Sequence, residues 1–201
     1  MIIAGISIAC TSTGTERKGS VPVGVSDTIA AKAPADKGKQ APAASMTSDR
    51  RAKGGTLNLA LVGDIMPGTT FPDSRLPEKD GATLFKDVDS ILTAADVAAG
   101  NMEGALADEG ETTKKGGKFS YSFRVPTRYG KLIADAGFDF MSMANNHAFD
   151  FGLDGVKSTE ATLHSNGIAY SGIGGRKESA IVERNGIRYG FCAFGHNSYT
   201  L

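Results

Sequence analysis

The chain has 201 residues, with 22 Lys and Arg against 22 Asp and Glu, no Trp and two cysteines. Residues 1–55 hold 8 basic and 4 acidic residues and no aromatic side chain, which leaves 14 basic and 18 acidic residues to 56–201. A mildly acidic domain without a concentrated basic face excludes a dedicated nucleic-acid binder, and no later apolar run is long enough to span a bilayer.

The N-terminus reads in two parts. Met1 to Ala9 is a short apolar stretch that ends at Cys10, and a Thr, Ser and Gly-rich run follows. This pattern resembles the end of a bacterial lipoprotein signal, with residues 1–10 as the signal end and Cys10 as the lipidated residue. There is no basic n-region, and Ser7 stands where a lipobox usually has Leu, so an unprocessed N-terminus is the alternative. Residues 11–55 lack the apolar surface needed to offset chain entropy and are expected to be a disordered tether. Residues 56–201 form the globular part, the size of one domain or a piece of a larger one.

Leu57 to Gly63 predicts a first strand ending at Asp64, and Pro67-Gly68, Pro72 and Pro77 impose an irregular loop after it. Phe85, Val88, Ile91 and Leu92 at helical spacing predict a helix over 83–94. Asp96 to Gly100 predicts a second strand, ending at Asn101-Met102-Glu103. A long polar loop with Lys114, Lys115 and Lys118 comes next, then a helix marked by Tyr129, Leu132, Ile133 and Ala136 and stopped by Gly137. Phe138 to Ala144 predicts the third strand, Leu153 to Asn166 a third helix, and Ile168 to Ser171 the fourth strand. Ile181 to Arg184, Asn185-Gly186 and Ile187 to Phe194 predict a β-hairpin with a type I′ turn. The order βαβαβαβ plus a hairpin predicts an α/β fold with a largely parallel sheet and right-handed crossovers.

Three successive strands end in polar chemistry. Asp64 follows the first, Asn101 and Glu103 the second, and Asn145, Asn146 and His147 the third, with Asp150 and Gly152 just beyond. In a parallel sheet these ends share one edge, where open α/β sheets bind ligands. Oxygen donors beside a nitrogen donor suit a divalent metal of intermediate hardness, Mn, Fe or Zn. An Asn-rich turn with a solvated His is the bland alternative for the third end alone. Cys192 lies within an apolar strand and reads as an inert core thiol. His164 falls on the third helix and receives no role. Gly172 to Gly175 reads as a turn, because no helix of the right pattern follows it.

Gly63-Asp64-Ile65-Met66, Gly100-Asn101-Met102-Glu103-Gly104 and Ala144-Asn145-Asn146-His147-Ala148-Phe149-Asp150-Phe151-Gly152 resemble the motifs of the CapA family, the poly-γ-glutamate capsule-synthesis proteins also called PgsA. The family is a branch of the calcineurin-like metallophosphoesterases, and the resemblance covers about residues 56–201. It implies a metallophosphoesterase-like α/β/β/α sandwich, of which this chain would be the N-terminal βαβαβαβ half. It implies metal ligation by Asp64, by Glu103 and Asn101 in the place of the bridging carboxylate motif, and by Asn146. His147 then meets the phosphoryl oxygen or leaving group, Asp150 orients it, and Asn145 adjoins the substrate. Met66 stands where the superfamily usually has a His ligand, and Ala148 where an acidic residue usually follows the motif His. Later His motifs of the family have no counterpart before Leu201 except His196, so the second β-layer and half the metal site are expected to be missing.

Two functions follow. The first is an envelope-associated, extracytoplasmic, lipid-anchored protein of capsule or poly-γ-glutamate synthesis, export or anchoring, with a metal-dependent hydrolase-type site, an anionic polymer or phosphoester substrate and capsule-synthesis membrane proteins as partners. In it, Lys114, Lys115, Lys118 and Arg124 could meet the anionic substrate. The second is a non-catalytic, membrane-tethered scaffold of a polymer-export complex with a degenerate metal site, which Met66 favours.

Overall fold

A computed structural model describes residues 5–12, 56–117 and 120–195. Four strands form a parallel sheet in the order β2 (Leu59–Ile65), β3 (Val97–Met102), β6 (Phe140–Ser142), β7 (Ala169–Ser171). β3 lies inside the sheet, and every one of its residues is buried. Its sequence, Val-Ala-Ala-Gly-Asn-Met, is small and apolar until its end, as a strand covered on both faces must be. Successive side chains alternate between faces. Ala98 joins a core with Ile133, Met141, Val156 and Leu163, on the side of helices α1 (Asp89–Ala94), α2 (Tyr129–Asp135) and α3 (Gly152–Ser165). Val97 and Ala99 join Phe140 in a second core against Val182, Tyr189 and Phe191.

That second core is a contact between two sheets. The hairpin β8 (Ser179–Arg184) and β9 (Ile187–Phe194) is antiparallel, with Asn185 at φ 54° and Gly186 at φ 74° in its turn, the left-handed pair a type I′ turn requires. β1 (Gly5–Ser12) lies antiparallel along the other side of β9, giving the order β1-β9-β8. The rings of Phe140 and Phe191 stack at 4.3 Å between the two sheets. Arg184 also donates to the buried Asp139 carboxylate at 2.6 Å, tying the hairpin to the start of β6. The layers therefore run helix, parallel sheet, antiparallel sheet. A second β-layer was expected to be missing, yet among the described residues three antiparallel strands lie on the parallel sheet, with β1 along the edge of β9.

Other expectations shift in extent. β2 runs to Ile65, so Asp64 sits within the strand's last turn of pleat, after a register break between Leu61 and Asp64. Only 89–94 of the expected 83–94 helix is α-helical, because the preceding residues wind through tight turns such as Leu84 N–H to Gly81 O at 2.9 Å and Val88 N–H to Phe85 O at 2.9 Å. Val88 and Ile91, whose spacing marked the expected helix, are exposed. Within the long polar loop, β4 (Ala105–Leu106) and β5 (Arg124–Val125) pair in parallel and close the loop at its base. Leu106 N–H donates to Thr159 Oγ1 at 2.9 Å and fastens that base to α3.

Cys10 lies in β1, opposite Tyr189 in register. Apart from Thr11 and Ser12, the expected tether falls outside the described residues, as do Lys118 and His196. Among the described residues no helix is long and apolar enough to cross a membrane.

The sheet-to-sheet contact should carry much of the stability. Phe140→Ala removes a fully buried ring from it and is expected to cost about 3–5 kcal/mol. Urea unfolding of the full chain measures this directly, and a loss below about 1 kcal/mol would mean that the hairpin layer does not bear on the parallel sheet.

Candidate functional site

The C-terminal ends of β2, β3 and β6 meet on one edge, and hydrogen bonds link them into a continuous chain. Asn101, buried on β3, donates through Nδ2 to Asp64 Oδ1 at 2.8 Å and to Glu103 Oε2 at 2.8 Å. Its Oδ1 accepts from Asn145 Nδ2 at 2.9 Å. Two carboxylates on one side and an amide donor on the other fix which way the Asn101 amide faces, since only its nitrogen can donate. Asp64 is exposed at the mouth, and Glu103 lies deeper, its side chain 14% exposed.

The β6 end is built by its own backbone. Beyond Ser142, Ala144 N–H donates to Ser142 Oγ at 3.2 Å and Asn145 N–H to Met143 O at 3.0 Å, so the chain turns sharply. Asn145 then folds its side chain under the turn. Its Nδ2 also donates to Met102 O at 2.8 Å, and its Oδ1 accepts from His147 N–H at 2.9 Å. That turn-closing contact is the habit that makes Asn common in such loops. Gly172, at φ 101°, comes close beneath: a Cβ there would stand 2.7 Å from the Ala144 backbone nitrogen, so only glycine fits.

His147 projects between two acidic groups. Its Nδ1 lies 2.8 Å from Asp150 Oδ2, and its Nε2 lies 3.6 Å from Glu103 Oε1. Asp150 has no exposed surface, and its Oδ2 also accepts from Phe123 N–H at 2.7 Å. Lys114 reaches in from the long loop. Its Nζ is 2.6 Å from Asp150 Oδ1, an ion pair lying off the ideal hydrogen-bond direction, and 3.0 Å from His147 Nδ1. The Phe123 ring packs on the imidazole at 4.4 Å between centroids.

The structure thus gathers Asp64, Asn101, Glu103, Asn145, His147 and Asp150 into one network. Asn101 and Asn145, expected as metal ligand and substrate contact, have both ends of their amides engaged within the protein and act as braces. Asn146 differs: its Oδ1 is sealed from solvent and has no hydrogen-bond partner among the described residues. A buried amide oxygen left bare costs free energy unless something meets it. Among the described residues no three His, Cys, Asp or Glu side chains gather closely enough to hold a metal on their own. Asp64, Glu103 and the Asn146 amide, the ligands the resemblance implies, are oxygen donors that would fit a divalent cation in type.

Lys114 was expected, with Lys115, Lys118 and Arg124, to meet an anionic substrate, and Phe123 carried no expectation. No local signal places either of them, because β4–β5 pairing across the loop brings them to His147. Arg124, also a candidate for substrate, is spent on the fold. It donates to Gly110 O at 2.9 Å and Thr70 Oγ1 at 3.1 Å, and lies over the rings of Phe71 and Phe151.

Burial is the largest influence on Glu103 and pushes its carboxyl above the ordinary range. His147 pulls it back, Asp64 pushes it up again, and the Asn101 N–H works against the rise. A carboxyl that holds its proton more tightly folded than unfolded makes stability fall as pH rises through and above its ordinary value of 4.5. With divalent cations chelated, Glu103→Gln should therefore melt at a higher temperature than wild type at neutral pH. The difference should vanish below about pH 3, where both states of Glu are protonated. Calorimetry across that range decides it, and a variant that melts lower at neutral pH would show the Glu103 anion to be stabilised instead.

Bacterial capsule synthesis protein PGA_cap is the family whose sequence model matches residues 58–200. The chain is 29% identical over 136 residues to the PGA biosynthesis protein CapA of Bacillus subtilis (strain 168), covering 65% of this chain and 35% of that one. It is 26% identical over 143 residues to the capsule biosynthesis protein CapA of Bacillus anthracis, covering 69% and 34%. It is 30% identical over 130 residues to the uncharacterized protein y4sH of Sinorhizobium fredii (strain NBRC 101917 / NGR234), covering 63% and 26%. The aligned region spans about a quarter to a third of the length of these relatives. The layers seen here are those of a metallophosphoesterase-like sandwich, and the chain belongs to the bacterial capsule synthesis protein family.

Proposed function

We propose that this is an envelope-associated protein of capsule or poly-γ-glutamate synthesis whose strand-end network is a metal-dependent, hydrolase-type site. The observation that carries the reading is the Asn101 amide holding Asp64 and Glu103 together while Asn146 Oδ1 lies buried and bare. Asp64, Glu103 and Asn146 would hold one divalent cation, Mn, Fe or Zn. When bound, such an ion acidifies a water and polarises an ester, amide or phosphoryl oxygen. The chain's own residues supply the rest. Asp150, buried and hydrogen-bonded, holds His147 by Nδ1, which leaves Nε2 as the ring atom that gives or takes a proton. Phe123 covers one face of that ring and excludes water from it. Export or anchoring of an anionic polymer, with capsule-synthesis membrane proteins as partners, is the biological setting that the CapA relatives suggest.

The competing reading, a scaffold with a degenerate site, has its own support. Met66 stands 40% exposed beside Asp64 and offers no hard donor. Manganese binding to the full chain, read by electron paramagnetic resonance, separates the two. Asp64→Asn is expected to lower affinity at least tenfold. Asn101→Ala should lower it about 10–100-fold by releasing both carboxylates without removing a ligand. A wild type that binds no cation favours the scaffold.

Attachment to the membrane through Cys10 belongs to the same proposal. Processing at the Ala9–Cys10 junction would remove Gly5 to Ala9, most of the strand that pairs with β9. Cells given a labelled fatty acid should incorporate it into the wild type and not into Cys10→Ala. An unlabelled wild type in the soluble fraction rules the anchor out.

A further inference from the structure

We infer that Lys114 is a substrate-contact residue, and that the ligand it takes is an anionic oxygen, carboxylate or phosphoryl, delivered against His147. The inference deepens the reading of the site as one that handles an anionic substrate, and rests on it. His147 Nδ1 and Asp150 Oδ2 stand 2.8 Å apart. Were Nδ1 bare, its lone pair would face a carboxylate oxygen at that distance, so Nδ1 carries a hydrogen and donates it to Asp150. Nδ1 then cannot also accept from Lys114, although Nζ lies 3.0 Å away. The ammonium has three N–H donors; among the described residues Tyr121 O at 2.8 Å takes one, while Asp150 Oδ1 at 2.6 Å meets its charge off the hydrogen-bond direction. At least one donor is left for a ligand. The Lys114 side chain is 25% exposed, so an incoming oxygen can reach it.

The ammonium is also held in place before any ligand arrives. Thr113 N–H donates to Asp150 O at 2.8 Å and Thr113 Oγ1 to Phe149 O at 2.9 Å, two carbonyls just beyond His147 in the same turn. Thr112 and Ser122 hydroxyls meet at 2.6 Å across the loop. A cation fixed this way loses little freedom on binding an anion. Arg124, also basic, turns Nε and both terminal nitrogens to Thr70 and Gly110 and lies over the rings of Phe71 and Phe151, so its guanidinium is tied into the fold. The specificity this gives is for a substrate that carries a negative oxygen beside the bond approaching His147.

The test is calorimetric binding of two probes, inorganic phosphate and a triglutamate peptide, to the manganese-treated full chain. Wild type should bind at least one, and whichever probe Lys114→Met weakens identifies the source of the oxygen. The expected loss is roughly tenfold or more, the size of one charge-assisted hydrogen bond. Lys114→Arg should keep most of the affinity, and Lys157→Gln, at an exposed position on α3, all of it. Because Lys114→Met leaves Asp150 buried without its counter-ion, the double variant Lys114→Met, Asp150→Asn is measured beside it and should show the same loss. Either variant binding both probes as wild type does, or a wild type that binds neither, overturns the inference. Failure of the metal reading shows separately, as a wild type that takes up no manganese while its anion affinity still depends on Lys114.

Discussion

Asp150 is the group on which the candidate site depends. A carboxylate with no exposed surface is stable only if its charge is met and its lone pairs are filled. Lys114 meets the charge at Oδ1, and the Phe123 N–H and His147 bond to Oδ2, from three different places in the chain. Each contact has a second consequence. The Lys114 pair draws the long polar loop inward, the Phe123 bond seats an aromatic ring on the imidazole, and the His147 bond sets that ring's orientation. Removing any one partner leaves the others bonded to a charge that is then only partly compensated.

Asn101 and Asn145 form the second support. A parallel sheet aligns the ends of neighbouring strands, but alignment alone does not aim side chains. The Asn145 to Asn101 bond at 2.9 Å crosses from the β6 end to β3, and Asn101 passes the constraint on to Asp64 and Glu103. Amides suit the task because one group both donates and accepts, so a chain of them can be satisfied while buried. Asn146, next in sequence, is left outside this chain with its oxygen bare. Neighbours of one residue type thus divide into support and candidate ligand.

The two cores explain why the edge is steady enough to carry such a network. Helices cover one face of the parallel sheet, and the hairpin covers the other. β3 is clamped between them, and its end carries Asn101 and Glu103. The family to which the chain belongs is named for capsule synthesis, and its similarity to the CapA proteins runs through the segment that contains all three strand ends.

Much of this was legible in the sequence. The apolar run from Phe138 to Ala144, broken by Asn-Asn-His, marked a strand delivering polar groups to an edge, and Asn185-Gly186 marked the hairpin, because local backbone preferences decide both. The motif order also marked Asp64, Glu103, Asn146 and His147 together. Other features depended on contacts between distant segments. That Asn101 and Asn145 are braces depends on which amide meets which carboxylate across two strands. That Lys114 reaches His147 depends on β4 and β5 closing a loop with no periodicity of its own. That β1 lies along β9 depends on a free strand edge nearly the whole chain away. Sequence by itself determined where strands stop and which residue types stand there, since those follow from neighbours along the chain. Only the tertiary structure decided which of those groups are spent on one another and which remain free, since hydrogen-bond partners are set by proximity in space.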